Sequence, residues 1–503
     1  MKLRLIALGA LLLSPGVAAA HEPHACPLDF PDSPVLSGHL EQADIAEGFV
    51  PFRELFERGR ELFVAKVNKC DGQGRPATTG AGDKRVPDQP SFIRTSAPES
   101  NSCAGCHSDP RPGGAGGFVA NVFVLAQALD PVTESVSPEF SNSRNTLGMF
   151  GSGAIDMLGR EMTAELRAQA TGLPDGDHVL TTKGVDFEVT IAGGEVVASR
   201  GIDTDLVVKP FHQAGVVRSV REFTVNAYNH HHGMQAEERF DLNPAKGFDP
   251  DFDEDGVEHE LTVGDITAAT IFQAALGVPG QVLPADRDER REVRRGEQLF
   301  SDVGCASCHV PAMRLNSRMY VEPYELNPDG TFNEAAQAVS FDMTRDGERP
   351  RLERARGGGA IVRAYTDLKR HNLCDPEDRP DAIRFFCNEQ LDQGRPEQDG
   401  RPGREFFITR KLWDVGNSAP YGHRGDLTTI TEAILAHGGE ARESRDAFDE
   451  LLVEDRAAIV SFLKSLQVLP PNSPRVKTDG WQGVFRRGSN VRALAQSGSP
   501  FFK

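Results

Sequence analysis

Apolar positions recur at helical spacing in a handful of segments and alternate in one. Phe52 to Val67 reads as a helix, with Gly59 followed by Leu62 and Phe63. A second helical pattern lies between Gly151 and Leu166, and a third runs from Ser219 to Ala227. Asp286 to Arg295 is a charged helix-forming run that leads through Gly296, Leu299 and Phe300 to Gly304. Glu454 to Leu466 places Ala457, Ile459, Val460, Phe462, Leu463 and Leu466 at helical intervals just before Pro470-Pro471. Residues 178 to 210 instead alternate apolar and polar positions around Gly193-Gly194, the mark of a small β-hairpin. The end, Pro470 to Lys503, is rich in Pro, Ser and Arg and reads as an irregular tail.

At the other end, Lys2 and Arg4 precede the short apolar stretch Leu5 to Leu13, and Ala18-Ala19-Ala20 offers a cleavage point before His21. This reads as a secretory leader over residues 1–20, too short to be a comfortable membrane span. The expected location is the periplasm or outside the cell, without stable membrane insertion. The 503-residue chain carries a formal charge of −19, and losing Lys2 and Arg4 makes it more negative. Nucleic acid is a poor partner for such a surface, whereas a basic redox protein is a good one.

Two pentapeptides carry the chemistry. Cys103-Ala104-Gly105-Cys106-His107 and Cys305-Ala306-Ser307-Cys308-His309 are both C-x-x-C-H. That spacing lets two thiols join the vinyl groups of a haem and sets the next His under the iron as an axial ligand. Two covalently bound c-type haems are expected; zinc or disulfide use is the plain alternative. The remaining cysteines, Cys26, Cys70, Cys374 and Cys387, suit disulfides in an oxidising compartment. Cys374 and Cys387 close a short loop, although sequence alone allows three pairings.

Leu412 to Ala441, containing A-P-Y-G-H and the helix-like Thr429 to Ala436 followed by His437, resembles the C-terminal signature of the di-haem cytochrome c peroxidase and MauG superfamily. Arg218 to Gln235 places the chain nearest the di-haem oxidoreductase branch, peroxidase-like and close to the rubber oxygenases. The resemblance implies a mainly α fold of two cytochrome c-like haem domains with the hairpin as an insert. It divides the chain into an N-terminal haem domain (21–285), a C-terminal cytochrome c domain (286–469) and the tail (470–503). His309 and His437 would bind one iron from both faces, with His423 near the haem edge.

The other haem, on His107, lacks the His that follows the motif in the peroxidases, so its sixth position is expected to be open to peroxide or dioxygen. His231 or His232, with Gln235 and Glu237, would line that side as proton-transfer groups. Phe211 or His212 stands where relatives have a Trp between the haems. Asp251, Asp253 and Asp255, followed by Gly256, resemble the start of a calcium loop, with an acidic solvated loop as the alternative. The expected activity is peroxide reduction at the His107 haem, fed through the His309/His437 haem by a small cytochrome or copper protein. Oxygenation of an apolar polymer or protein side chain, and simple electron carriage, are the rivals.

Overall fold

The computed structural model describes residues 32–36, 38–73, 100–121, 143–240, 251, 256–387 and 405–479. The proposed leader, Cys26, Asp253, Asp255 and most of the tail lie outside these residues.

Two helix crossings organise the molecule. In the first half, Phe52–Val64 packs against Val263–Ala274. Leu55, Gly59, Leu62 and Phe63 are its buried positions, an i, i+4, i+7, i+8 stripe. Gly59 lies at the contact: a Cβ there would stand 2.0 Å from the Ala268 carbonyl oxygen. In the second half, Arg287–Asp302 packs against Val453–Ser465. Its buried positions are Val293, Gly296 and Phe300, and a Cβ on Gly296 would stand 1.9 Å from the Ala458 oxygen. Glycine lets backbone meet backbone at both places. Phe63 then meets Phe272 at 5.2 Å and Phe300 meets Phe462 at 5.5 Å between ring centroids. Each of these buried rings contributes about 2–3 kcal/mol.

The helix ends follow local signals. Asp286 caps Arg287–Asp302 by accepting from Asp288 and Glu289 N–H. Thr262 and Asp265 form a capping box at the start of Val263–Ala274, every residue of which is buried.

The expected mainly α fold of two cytochrome c-like domains is overturned. The described residues hold fifteen short strands in six small sheets alongside the helices. The described residues between Met313 and Ile408 are mostly turns and strands of two to four residues, such as Met313–Leu315, Met319–Glu322 and Phe406–Ile408. These runs are too short to show a period, and their partners are distant in sequence, so pattern reading misses them. The insert is a three-stranded antiparallel sheet, Gly176–Thr182, Val185–Ala192 and Glu195–Ser199, rather than one hairpin. Its inner residues Leu180, Val185, Phe187 and Val189 join a core that also takes in Leu315, Tyr320 and Phe341.

Gly280–Leu283 pairs with both Leu466–Gln467 and Lys477–Asp479, tying the chain before the second crossing to the segment after it. No helix among the described residues is long and apolar enough to cross a membrane.

Candidate functional site

The first pentapeptide forms one helical turn, Cys103–Cys106, in which His107 N–H donates to the Cys103 carbonyl at 2.9 Å. The chain then folds back, and a Cβ on Gly116 would stand 2.0 Å from the Cys106 oxygen. His107 Nδ1 lies 3.3 Å from the Gly114 carbonyl. A carbonyl only accepts, so Nδ1 carries the proton and Nε2 keeps its lone pair for a metal. Phe63 lies 6.3 Å from the His107 ring. Burial lowers the His107 pKa to about 4, so the ring is neutral at pH 7.

His231 and His232 lie beside this motif. The helix Val220–Ala227, capped by Ser219, runs on into a wider turn of π type, Tyr228–His232. Turns of this kind often mark functional sites. Ser100 N–H donates to the His231 carbonyl at 3.2 Å, and His232 Nδ1 lies 2.7 Å from the Ser100 carbonyl. His232 Nε2 stands 3.3 Å from Cys103 Sγ. After burial and the Gly114 bond, the charge of His231 is the next influence on the His107 pKa, and it lowers it.

The two other proton-transfer candidates are held elsewhere. Gln235 donates to Glu260 through its backbone and its side-chain amide, both at 2.8 Å. Glu237 accepts from His259 at 2.7 Å and from Val263 N–H at 3.4 Å. Arg221 is wholly buried and bonds Glu238, Thr267, Glu322 and the Val263 carbonyl, which fixes the helix leading to His231. Asp251 accepts from Gly256 N–H, and the other two candidate calcium ligands lie outside the described residues.

The second pentapeptide repeats the first. His309 N–H donates to the Cys305 carbonyl at 3.0 Å, and His309 Nδ1 lies 3.1 Å from the Tyr365 carbonyl. Phe300 lies 6.2 Å from the ring. Burial lowers the His309 pKa to about 4, and the next cause is the charge of His437. His437 follows the helix Ile430–Leu435, whose start is a Thr429/Glu432 capping box. Its Nδ1 lies 2.7 Å from the Ala433 carbonyl, leaving Nε2 as the free donor atom.

The loop after His437 is firmly held. Gly439 N–H donates to Asp375 at 2.8 Å, and Arg442 bonds the same carboxylate. His371 bridges Asp367 at 2.8 Å and Glu440 at 2.9 Å. Cys374 and Cys387 form a disulfide that closes the segment carrying Phe385 and Phe386. Phe386 lies 5.5 Å from the His437 ring and 5.7 Å from the His423 ring. His423 is buried, with neither ring nitrogen bonded, and burial lowers its pKa to about 3. Its turn is fixed to the first half, where Asn145 donates to the carbonyls of Pro420 and Gly422 at 2.7 and 3.2 Å.

Sequence reasoning passed over Arg410 and Lys411. Their segment touches both sites: the Arg410 backbone bonds His309, and the Lys411 charge lowers the His107 pKa. Lys411 Nζ donates to Gly148 O at 2.6 Å. Asp414 stands 3.8 Å from Arg410 and 3.7 Å from Lys411, too far to hydrogen-bond, and its carboxylate oxygens have no partner. Two desolvated cations thus share one carboxylate, and burial lowers the Lys411 pKa to about 7. An added anion would relieve the excess. Haem supplies two carboxylates, and the four motif cysteines are not in disulfides. These residues therefore fit two haems. Neither of the two tryptophans serves as an obvious bridge between them: Trp413 is a buried core residue packed on Gly151, and Trp481 lies outside the described residues. Phe211 is half-buried against the first-half core, and the half-buried His212 lies within reach of the Arg144 charge.

Comparison with known proteins adds a family. Residues 380–466 match the family model described as "Di-haem oxidoreductase, putative peroxidase". No curated protein matches the chain. Hydrazine synthase from Kuenenia stuttgartiensis is similar at 14% identity, covering 92% of this chain and 100% of its own, with a TM-score of 0.34. A MauG-like protein associated with microbial copper homeostasis is similar at 15% identity, covering 63% of this chain and 89% of its own, with a TM-score of 0.25. Scores this low do not establish a shared fold. The match over residues 380–466 spans the A-P-Y-G-H turn, His423 and His437, so this segment of the chain is similar to the di-haem oxidoreductase family.

Proposed function

We propose that the chain is an exported c-type di-haem peroxidase. Cys103, Cys106 and His107 hold one haem covalently in the 21–285 half, and Cys305, Cys308 and His309 hold the other in the 286–469 half. His437 would hold the second haem together with His309. Haem iron, when bound, would supply the redox chemistry of peroxide reduction. His231 would serve as the group that takes a proton from peroxide and returns it to the departing oxygen. Arg410 and Lys411 balance the haem carboxylates between the two sites. One peroxide, two electrons and two protons give two waters, the electrons coming from a soluble, basic donor protein that suits the acidic surface. The Cys374–Cys387 disulfide and the disulfide-bonded Cys70 support an oxidising compartment.

The observation that carries this reading is the difference in what opposes the two motif histidines. His437 is fixed at a helix end on an anchored loop, whereas His231 sits on a wide turn held through main-chain bonds. The proximity of His231 to His107 also favours a second reading, an electron carrier with both irons closed. Rapid mixing of the half-reduced haem protein with hydrogen peroxide separates them. The peroxidase reading expects stoichiometric peroxide loss with a fast spectral change; no peroxide consumption favours the carrier.

A further inference from the structure

We propose that the groove between the Phe52–Val64 helix and the 345–351 loop binds a small aromatic carboxylate. It borders the frame of the first histidine site, since its Phe272 packs on Phe63, but none of its lining residues is used in the steps above. The cavity measures about 530 Å³, within the range of small-molecule sites. Phe52, Phe56, Phe272 and Leu276 line it with apolar surface. Phe56 lies 6.3 Å from Phe52 and 5.2 Å from Phe272, tilted in both cases, so a flat ring finds aromatic faces and edges to pack on.

Charge selects the rest of the ligand. Five arginines line the cavity: Arg53, Arg60, Arg111, Arg345 and Arg351. On a chain with a formal charge of −19 this is a local inversion. Three are already committed. Arg60 pairs with Glu57 at 2.8 Å, Arg111 pairs with Glu348 at 2.5 Å and stacks on Phe150, and Arg351 donates to the Gly347 carbonyl at 2.8 Å. Asp346, the other carboxylate in the lining, accepts from Asp342 N–H at 2.9 Å. Arg53 and Arg345 have no ion-pair partner among the described residues, and both are exposed at the rim. Two open guanidinium groups above an aromatic floor match one carboxylate on a ring, because Arg holds carboxylates through paired N–H donors.

Isothermal titration calorimetry of the purified haem protein with 1-naphthoate at low salt tests this. The expected result is saturable one-to-one binding with a Kd of about 1 mM or tighter. R53Q/R345Q should weaken it about tenfold or more, and the neutral 1-naphthamide should bind weaker than naphthoate by a similar factor. The charge-matched control R294Q/R356Q, at exposed positions outside the groove, should bind naphthoate as the parent does. Absence of saturable binding overturns the proposal, as does equal affinity for the amide, or equal weakening by both double variants. Peroxide turnover is not the readout, so failure here leaves the peroxidase reading where it stands, and the converse holds too.

Discussion

The two C-x-x-C-H sites stand under helix crossings built to nearly the same measure. Gly59 meets the Ala268 carbonyl as Gly296 meets that of Ala458. Phe63 and Phe300 stand 6.3 and 6.2 Å from His107 and His309. Both histidines are neutral at pH 7 through burial. The difference lies on the opposite side. His437 is held by a capped helix, the Asp375 bonds, the His371 bridge and a disulfide, whereas His231 ends a wide turn tied to Ser100. A repeated frame holds both motif histidines, and on the proposed reading the segment brought in against each would decide whether the far face of its haem is closed. One architecture can thus support two coordination states.

The largest expected effect concerns the helix that delivers His231. Arg221→Leu leaves Glu238 and Glu322 buried beside a removed charge and should cost about 3–5 kcal/mol in denaturant unfolding, loosening the first site more than the second. Next come the two glycines. Gly59→Val and Gly296→Val should each cost about 3 kcal/mol, the upper end for overpacking, because the obstructing atoms are backbone. If one is tolerated and the other is not, the frames are not equivalent.

A smaller, pH-dependent effect should mark the closed site. The His371 pKa is raised from 6.5 to about 11, against the opposing pull of burial, by hydrogen bonds to Asp367, Cys308 and Glu440. A raised folded-state value stabilises fully below the unfolded pKa and is lost as pH climbs to the folded one. The stability lost in His371→Gln should therefore be greatest below about pH 6.5 and shrink steadily toward pH 11 in unfolding titrations. The smallest expected change falls on the first site. Lys411→Gln removes a positive charge near His107 and should lower that haem's midpoint potential more than the other's in spectroelectrochemistry, since the oxidised iron then carries less penalty.

Much of the chemistry was legible in sequence, and the fold was less so. Both pentapeptides announce themselves through spacing that permits few substitutes, and the helix before His437, Ile430–Leu435, through the resemblance of Leu412 to Ala441. The helices around Gly59 and Gly296 show their buried stripes, but the buried Val263–Ala274 helix shows no stripe, being apolar or small nearly all round. Its Thr262/Asp265 capping box was the available signal. The short strands between Met313 and Ile408 pair with partners far along the chain, which local pattern does not encode. Gln235 and Glu237 were reasonable proton-transfer candidates by position, yet their bonds run to Glu260 and His259, contacts that only tertiary structure reveals. Arg410 and Lys411 look like ordinary surface cations in sequence, and the burial of the Lys411 ammonium against Gly148 comes from a contact far along the chain.

Electron paramagnetic resonance of the resting protein with both haems attached tests the division most directly. The account predicts one low-spin, bis-imidazole signal that disappears in His437→Ala and one high-spin signal that survives that substitution. Two low-spin signals in the parent protein, or a low-spin signal unchanged in His437→Ala, would contradict it.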